Sequence, residues 1–230
     1  MDWNVLIVDD DAGSRIRVRE ALSEQPIEVR EAEGAAKALD LARSRAPNLL
    51  LTELELADVT GLGLIRLFRE EPALAGTSII VVTRFPCEVD RIVAFEHGVD
   101  DYVTKPFFPR ELAGRVRAVL RRAEPSESAR PGVRARTWGD LSIDPDSRLV
   151  TVRNRPVSLT PREFDLLVTL MDEAGHVLTR DRLLKSVWGE ESDAGHRSVD
   201  THVKTIRRKL GEARDSIETV RGVGYRFSDR

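Results

Sequence analysis

Five short apolar runs alternate with amphipathic helical patterns in the first half of this 230-residue chain, and this alternation constrains its fold more than any other feature. The runs are Val5–Val8, a short segment around Val29, Leu49–Leu51, Ile79–Val82 and Tyr102–Thr104. In the segments that follow them, apolar residues recur at positions i, i+3, i+4 and i+7, which is the spacing of one helix face. This order predicts a doubly wound α/β domain, in which a five-stranded parallel sheet carries helices on both faces.

Polar residues with the chemistry of a metal or phosphate site stand at the ends of these runs. They are Asp9 and Asp10 after the first run, Glu53 after the third, Thr83 after the fourth and Lys105 after the fifth. Because the carboxyl ends of parallel strands converge on one edge of a sheet, these side chains are expected to meet. Carboxylate oxygens suit Mg²⁺, whereas threonine and lysine suit phosphate oxygens. We therefore expect one pocket for a divalent cation and a phosphoryl group.

The second half of the chain has its short strands first and its helices afterwards. Apolar runs separated by turn residues within Leu141–Leu159 predict a small antiparallel sheet. Three helical patterns follow, and the first opens with Thr160 and Glu163 in the positions of a capping box. Two further strands are expected within Ile217–Phe227. This order predicts a second domain of the α+β class.

Basic residues concentrate near the end of the chain. Residues 1–124 contain 17 basic and 22 acidic residues, whereas the segment Arg197–Arg226 contains 8 basic and 4 acidic residues. A basic segment on a chain with a net charge of -3 indicates a polyanion partner for that segment. The residues predicted on the outer side of the third helix of this half are Arg197, Thr201, Lys204, Thr205 and Arg208. His202 and Arg207 are expected to flank them, and Arg221 is expected at the tip of the final hairpin.

The boundary between the two halves is marked by composition. The segment Glu124–Gly132 is rich in proline and serine, as flexible connectors are. We place the first domain at residues 1–122, a linker at 123–136 and the second domain at 137–230. The chain shows neither a membrane-span-length apolar run nor a signal peptide, and its single cysteine excludes an intramolecular disulfide. We expect a cytoplasmic protein without a membrane partner.

The residues Asp9, Asp10, Thr83, Tyr102 and Lys105, together with a carboxylate after the third strand, resemble the receiver domain of two-component response regulators. The resemblance implies that the third-strand carboxylate accepts a phosphoryl group, with Mg²⁺ held by that residue and the acidic pair. It also implies that Thr83 and Lys105 rearrange around the phosphate. Tyr102 stands in the place of an aromatic residue that rotates inward on activation.

Glu53 departs from this family, because receivers carry an aspartate at the phosphoacceptor position. The extra methylene moves the carboxylate by roughly 1.5 Å, and a misplacement of about 1 Å can be costly in phosphoryl transfer. Glu53 also carries about one negative charge toward the place where a phosphate would carry nearly two. Arg84, in place of a small residue, is expected to crowd the pocket or to pair with Glu53. We hypothesise a receiver fixed in an active-like state; a weakly phosphorylated Glu53 and transfer to Asp58 are the alternatives.

Charged residues of the fourth and fifth helices match those that pair across a symmetric dimer in similar receivers. The resemblance implies a homodimer through the fourth helix, the fifth strand and the fifth helix. The expected pairs are Arg91 with Glu111, Glu96 with Arg117, and Asp101 with Arg115. Such exposed pairs contribute only ~0.2–1 kcal/mol each, so they would fix geometry more than affinity. Ordinary helix-surface charge is the alternative explanation.

Three segments of the second half, Leu159–Leu167, Arg197–Leu210 and Val220–Phe227, resemble the winged-helix effector domain of the OmpR/PhoB class. The resemblance implies that a dimer binds direct-repeat half-sites in double-stranded DNA. The residues that it assigns to the recognition helix and the wing are Arg197, Ser198, His202, Lys204, Thr205, Arg207, Thr219, Arg221 and Tyr225. Arginine can read guanine in the major groove and is favoured in a narrow minor groove. The loop Gly189–His196 matches one that some members use to contact RNA polymerase.

These sequence features suggest three functions. The leading one is a transcriptional regulator that binds DNA as a dimer and whose receiver works without phosphate. The second is a conventional regulator that a histidine kinase phosphorylates at a non-standard residue. The third, a phosphatase of the haloacid dehalogenase type, needs an aspartate nucleophile where this chain has Glu53, so no enzyme is expected. No cofactor is expected to be required, although Mg²⁺ at Asp9, Asp10 and Glu53 is compatible with the receiver resemblance.

Overall fold

The computed structural model describes residues 3–85, 87–123, 135–145, 147–189 and 196–228. The chain forms two compact units that divide between residues 123 and 124. The predicted connector Glu124–Gly132 lies outside the described residues. Within the described ranges, no helix is both long enough and apolar enough to cross a membrane.

The first unit is a parallel sheet in the order β2-β1-β3-β4-β5, with a helix after each strand, which confirms the predicted α/β class. Its elements are β1 Trp3–Val8, α1 Ala12–Leu22, β2 Ile27–Ala32, α2 Ala35–Ser44, β3 Leu49–Thr52, α3 Gly61–Glu70, β4 Ser78–Thr83, α4 Glu88–Glu96, β5 Asp101–Thr104 and α5 Pro109–Ala123. Because β1, β3 and β4 have strands on both sides, their carboxyl ends lie in the middle of one sheet edge.

The central strand β3 is buried on both faces of this sheet. Leu49, Leu50 and Leu51 are at most 2% exposed, as expected for a parallel strand covered by helices on both sides. Leu49 and Leu51 belong to one buried cluster with Val18 of α1 and Val116 of α5. The intervening Leu50 faces the other layer, because side chains alternate along a strand. Glu53 therefore follows a strand whose position is fixed by two cores.

The register of the sheet brings the predicted site residues to one level. Val8 of β1 pairs with Thr52 of β3, and the main-chain nitrogen of Glu53 donates to the carbonyl oxygen of Val8 at 2.9 Å. At the other side, Thr83 of β4 pairs with Thr104 of β5. The residues that follow these pairs therefore meet at the carboxyl edge, as the sequence predicts.

The second unit contains two antiparallel sheets, three α-helices and one 3-10 helix within its described residues, in agreement with the predicted α+β class. Its elements are β6 Arg136–Trp138, β7 Leu141–Asp144, β8 Leu149–Val152, β9 Arg155–Pro156, α6 Pro161–Asp172, β10 Val177–Thr179, α7 Arg180–Trp188, α8 His196–Leu210, a 3-10 helix Gly211–Ser216, β11 Ile217–Val220 and β12 Gly224–Phe227. The strands β6 to β9 form one sheet, and β10, β12 and β11 form the other.

The predicted capping box at the start of α6 is confirmed. The hydroxyl of Thr160 accepts from the main-chain nitrogen of Glu163 at 3.4 Å, and Oε2 of Glu163 accepts from the main-chain nitrogen of Thr160 at 2.8 Å. The strand β10 is not predicted by the sequence pattern, because three residues are too few to show a period of two. It pairs with β12, so the terminal hairpin becomes part of a three-stranded sheet in which β12 is the central strand.

Candidate functional site

Lys105 joins the two carboxylates at the ends of β1 and β3. Its Nζ donates to Oδ2 of Asp9 at 2.5 Å and to Oε2 of Glu53 at 2.8 Å. The three side chains are at most 9% exposed, so water screens these charges little. Each ion alone would be costly to bury, and the pairing with well-placed opposite charges offsets that cost. The three residues therefore form one closed charge cluster.

Both oxygens of the Glu53 carboxylate are engaged. Oε1 accepts from the main-chain nitrogen of Leu54 at 2.7 Å, and Oε2 accepts from the main-chain nitrogen of Arg84 at 3.3 Å as well as from Lys105. The side chain has no exposed surface. Three hydrogen-bond donors thus accommodate the longer side chain of glutamate.

Gly61 holds the loop after β3 against Glu53. A Cβ atom at this position would lie 2.1 Å from the carbonyl oxygen of Glu53, so no larger residue fits without a shift of the main chain. The main-chain nitrogen of Gly61 donates to the carbonyl oxygen of Leu54 at 2.7 Å. This close approach explains the glycine that ends the loop in the sequence.

The acidic pair that follows β1 is divided between the pocket and the surface. Oδ1 of Asp9 accepts from the main-chain nitrogen of Asp11 at 3.0 Å, and its other oxygen is held by Lys105. Asp10 is exposed. Within the described ranges, no group of three or more histidine, cysteine and acidic residues is arranged to hold a metal ion. The donor set fits Mg²⁺ only if Lys105 gives up one of its carboxylates.

The two predicted switch residues both contact the main chain of Phe85. The hydroxyl of buried Thr83 accepts from the nitrogen of Phe85 at 3.2 Å, and the hydroxyl of Tyr102 donates to its carbonyl oxygen at 2.9 Å. Tyr102 is only 4% exposed, and its burial, with a smaller effect of Asp90, raises its pKa to about 12. The aromatic side chain therefore lies inward and pins the loop between β4 and α4.

Arg84 contacts Glu53 through its main chain and not through its guanidinium. The side chain of Arg84 is exposed. Within the part of the chain that the structure describes, no hydrogen bond or ion pair joins its guanidinium to Glu53. The predicted pairing of these two side chains is therefore wrong.

Asp58, the alternative phosphoacceptor, caps helix α2. Its Oδ1 accepts from the main-chain nitrogen of Ala35 and its Oδ2 from that of Ala36, both at 3.0 Å. These two bonds hold the pKa of Asp58 below its usual value. The carboxylate is thus committed to a helix terminus and does not belong to the Lys105 cluster.

Arg115, a predicted dimer residue, pairs within its own chain. Its Nη1 lies 3.3 Å from both carboxylate oxygens of Asp101, and its Nη2 lies 3.0 Å from Oε1 of Glu111. Glu96 and Arg117 are exposed, and Arg91 is half-buried. The pair Asp101–Arg115, predicted between two chains, is formed inside a single chain.

Three basic residues of α8 form an exposed stripe. Arg197, Lys204 and Arg208 are separated by seven and four positions, a spacing that places them along one side of a helix. Arg221 is exposed at the turn between β11 and β12, next to Gly222, whose φ of 74° suits glycine. These four residues present positive charge to the solvent, as the sequence predicts.

Four other predicted DNA contacts on α8 are buried, and for Thr201 and Thr205 the predicted outward position is wrong. The residues are Ser198, Thr201, His202 and Thr205, with exposures of 4%, 9%, 1% and 8%. The reason is that α8 packs against α6, α7 and the 3-10 helix. Three neighbouring elements cover a wider arc of the helix than its apolar stripe indicates. Small hydroxyl side chains fit such close packing without needing to face the solvent.

His202, a DNA contact in the winged-helix resemblance, is a core residue in this structure. Its ring packs edge-to-face against Trp188, with 5.0 Å between the ring centres. Nδ1 lies 2.7 Å from the carbonyl oxygen of Ser198, and because a carbonyl only accepts, Nδ1 carries the proton. Burial holds the pKa of His202 below its usual value. The ring is therefore neutral at pH 7 and helps to fix α8 against α7.

Arg207 and Tyr225 tie α8 to the terminal hairpin instead of facing outward. Nε and Nη2 of Arg207 donate to the carbonyl oxygen of Ile217 at 3.1 and 2.6 Å, and Nη2 also donates to the exposed Thr219 at 2.8 Å. The hydroxyl of Tyr225 donates to Asp200 at 2.6 Å, and burial raises the pKa of Tyr225 to about 12. Both residues therefore position the helix and the wing relative to each other in the free protein.

The sequence of the chain matches two protein families. Residues 5–117 match the response regulator receiver domain, and residues 154–227 match the C-terminal domain of transcriptional regulatory proteins. The chain is 38% identical over 227 residues to the phosphate regulon transcriptional regulatory protein PhoB of Pseudomonas aeruginosa, which covers 98% of this chain and 97% of that protein. It is 39% identical over 233 residues to the transcriptional regulatory protein ResD of Bacillus subtilis, with coverages of 98% and 96%.

Solved structures of response regulators are similar along the whole chain. A mutant of RitR superposes with a TM-score of 0.77 at 28% identity and covers 99% of this chain and 100% of its own. The response regulator DrrB of Thermotoga maritima, an OmpR/PhoB homologue, superposes with a TM-score of 0.52 at 31% identity and the same coverages. Together with the two family matches, these similarities show that the chain belongs to the OmpR/PhoB-type two-component response regulators, which combine a receiver domain with a DNA-binding winged-helix domain.

Proposed function

We propose that this protein is a sequence-specific transcriptional regulator whose receiver acts without phosphorylation. The observation that carries the proposal is the closed environment of Glu53, whose side chain has no exposed surface and whose two oxygens already accept three hydrogen bonds. A carboxylate that accepts a phosphoryl group needs a free oxygen in line with the donor. Glu53 would have to leave Lys105 or a main-chain donor to offer one.

The donors around Glu53 are also those that suit a phosphate. A lysine ammonium and main-chain N–H groups form the strong, charge-assisted hydrogen bonds that bind phosphate oxygens. Here a permanent carboxylate occupies them, with about one charge instead of nearly two. The inward position of Tyr102 supports an active-like state, since the receiver resemblance links that position to activation.

The proposed function does not require Mg²⁺ in the receiver pocket. Receiver domains bind Mg²⁺ for phosphorylation, and Asp9, Asp10 and Glu53 are the residues that would hold it in this chain. Lys105 already neutralises Asp9 and Glu53. We therefore propose that DNA binding requires no metal ion.

The exposed basic stripe of α8 is the proposed surface for double-stranded DNA. Arg197, Lys204 and Arg208 would contact phosphates and the major groove, and Arg221 would reach the adjacent minor groove. A DNA partner places the protein in the cytoplasm. A contact of the acidic loop Gly189–His196 with RNA polymerase stays a prediction, because residues 190–195 lie outside the described residues.

We propose a homodimer through α4, β5 and α5 that binds direct-repeat half-sites. Arg115 is bonded to Asp101 and Glu111 of its own chain, so a dimer would exchange these partners for their equivalents in the second copy. Such an exchange changes the free energy little and instead selects one geometry. We also propose that the first domain spans residues 1–122, the linker 123–136 and the second domain 137–230.

An intact-mass measurement distinguishes this proposal from the second candidate, a conventional regulator phosphorylated at Glu53 or Asp58. Untreated protein is incubated with acetyl phosphate and Mg²⁺, and its intact mass is measured. Our proposal predicts no phospho-adduct on the wild type. Glu53→Asp, which restores the usual acceptor, serves as the positive control. An adduct on the wild type, at either residue, would refute phosphorylation independence.

A further inference from the structure

A cavity of about 470 Å³ opens beside the charge cluster of the receiver. It lies between α1 and the segment that joins β5 to α5, and its walls include Arg17 and Ala21 from the helix and Pro106 and Phe107 from that segment. Its size is within the range of about 300–1,000 Å³ that is usual for small-molecule sites. The receiver resemblance assigns Lys105 to the phosphoryl site but gives no role to the α1 wall of this cavity.

The walls of the cavity combine an apolar part with available cations. Ala21 and Phe107 are partly buried and pack against the receiver core, so the apolar wall is supported from behind. Arg84 also lines the cavity, and in the described ranges its guanidinium has no hydrogen bond or ion pair, although its charge acts on Asp11 through space. In the same ranges, Arg17 has one long, exposed ion pair to Asp11 at 3.5 Å, which is worth little. Glu20 is the acidic residue on the wall.

The cavity touches the residues that hold Glu53. Lys105 lines it, and the Nζ of Lys105 is committed to Asp9 and Glu53, so the cations left for a ligand are Arg84 and Arg17. The main-chain nitrogen of Arg84 donates to the same oxygen of Glu53 as Lys105 does. A ligand bound by the Arg84 side chain would therefore act on a main-chain segment that forms part of the switch.

We propose that this cavity binds a small molecule that carries an anionic group on an apolar body. The anion pairs with Arg84 and Arg17, and the apolar body lies against Ala21, Pro106 and Phe107. Occupancy biases the loop after β4, and with it the contacts of Glu53 and Tyr102. This regulatory role rests on the proposed phosphorylation independence, because a receiver without a phosphoacceptor needs another input, whereas binding itself does not depend on it.

Phenyl phosphate is a suitable probe, with benzyl alcohol and inorganic phosphate as the two half-probes. Binding to the full chain is measured by calorimetry and by the amide shifts of Ala21 and Phe107. We expect saturable binding at one site, stronger than that of either half-probe. Arg84→Ala keeps the main-chain bond to Glu53 but removes the cation, and should weaken binding about tenfold. Arg66→Ala, an exposed arginine outside the cavity, is the matched control and should bind phenyl phosphate as the wild type does.

Three results would overturn the inference. Phenyl phosphate could show no saturable binding, Arg84→Ala could bind it as well as Arg66→Ala does, or inorganic phosphate alone could bind equally well, which would remove the role of the apolar wall. None of these results changes the intact-mass experiment. The ligand site and phosphorylation independence can therefore fail separately.

Discussion

The two charged regions of this protein use their charges in opposite ways. In the receiver, the Lys105 ammonium lies between Asp9 and Glu53, and all three side chains are at most 9% exposed. In the winged-helix domain, Arg197 and Lys204 extend into solvent. The first arrangement pairs its charges within a buried cluster, whereas the second exposes its charges at the surface. The receiver cluster should therefore control stability, and the basic stripe should control DNA binding with little effect on stability.

The same contrast occurs between two neighbouring residues of α8. Arg207 is half-buried and bonded to the carbonyl oxygen of Ile217 and to Thr219, whereas Arg208 is exposed. Sequence alone gives both the same role in DNA binding. The structure separates them, because Arg207 donates to Ile217 and Thr219, whereas no acceptor for Arg208 is found among the residues that the structure describes.

Lys105→Ala is expected to have the largest effect on stability. It leaves two buried carboxylates without their cation, which should destabilise the receiver by ~3–5 kcal/mol. Hydrogen exchange read by mass spectrometry on peptides from β1 and β3 reports the receiver separately from the second unit. Lys37→Ala, which breaks the exposed pair with Glu33, is the control and should leave the stability of the receiver nearly unchanged. Equal effects of the two substitutions would contradict the distinction between buried, paired charges and exposed charges.

Arg207→Ala and Arg208→Ala are expected to differ in kind. Arg207→Ala should lower the stability of the second unit by ~1–2 kcal/mol through the lost hydrogen bonds to Ile217. Arg208→Ala should leave stability within ~0.5 kcal/mol but lower the slope of log affinity against log salt by about 1, as loss of one phosphate contact does. Urea unfolding and titration of duplex DNA at several salt concentrations measure the two effects. A changed salt slope for Arg207→Ala, together with a changed stability for Arg208→Ala, would contradict this difference between the two arginines.

Asp58→Ala should cost ~1 kcal/mol, since it removes the cap of α2. The pKa of Asp58 is lowered in the folded state, so its contribution is present above the ordinary value of 3.8 and is lost as the pH falls below it. The difference from wild type in urea unfolding should therefore be constant above pH 5 and shrink as the pH falls below 3.8. Asp40→Ala, at an exposed position of the same helix, is the control. A pH-independent difference would mean that the carboxylate does not act as a charged cap.

The smallest expected effect concerns the two tyrosines of the chain. Burial raises the pKa of both Tyr102 and Tyr225 to about 12. Their contribution to stability is complete below pH 10, the ordinary pKa, and is lost as the pH rises through about 12. Ultraviolet titration follows phenolate formation, Tyr225→Phe isolates Tyr102, and the urea-unfolded chain should titrate near 10. Half-ionisation of the folded protein near pH 10 would show that Tyr102 lies outward.

The receiver could be predicted from sequence in detail, because its site residues follow strands whose period and order fix their place. Asp9, Glu53 and Lys105 meet for that reason alone. The position of the Lys105 ammonium between the two carboxylates, and the bonds of Thr83 and Tyr102 to the main chain of Phe85, could not be predicted, since no motif marks a main-chain partner.

The DNA-binding face could be predicted only in part. The basic stripe follows from helical spacing, which places Arg197, Lys204 and Arg208 together. Thr205 and His202 do not face outward, because α8 packs against three neighbours and the sequence does not show how wide an arc they cover. The capping of α2 by Asp58 joins residues more than twenty positions apart and carries no local signal.

Whether the receiver acts without phosphorylation is tested by comparing untreated protein with protein treated with acetyl phosphate and Mg²⁺. Each preparation selects duplexes from a random DNA library, and the affinity and the number of bound chains are measured on the selected sequence, with Glu53→Asp in parallel. If the receiver acts without phosphate, both wild-type preparations select the same sequence and bind it as a dimer with equal affinity, while Glu53→Asp depends on treatment. Wild-type protein that stays monomeric and selects no sequence until it is treated would show that phosphorylation controls the receiver.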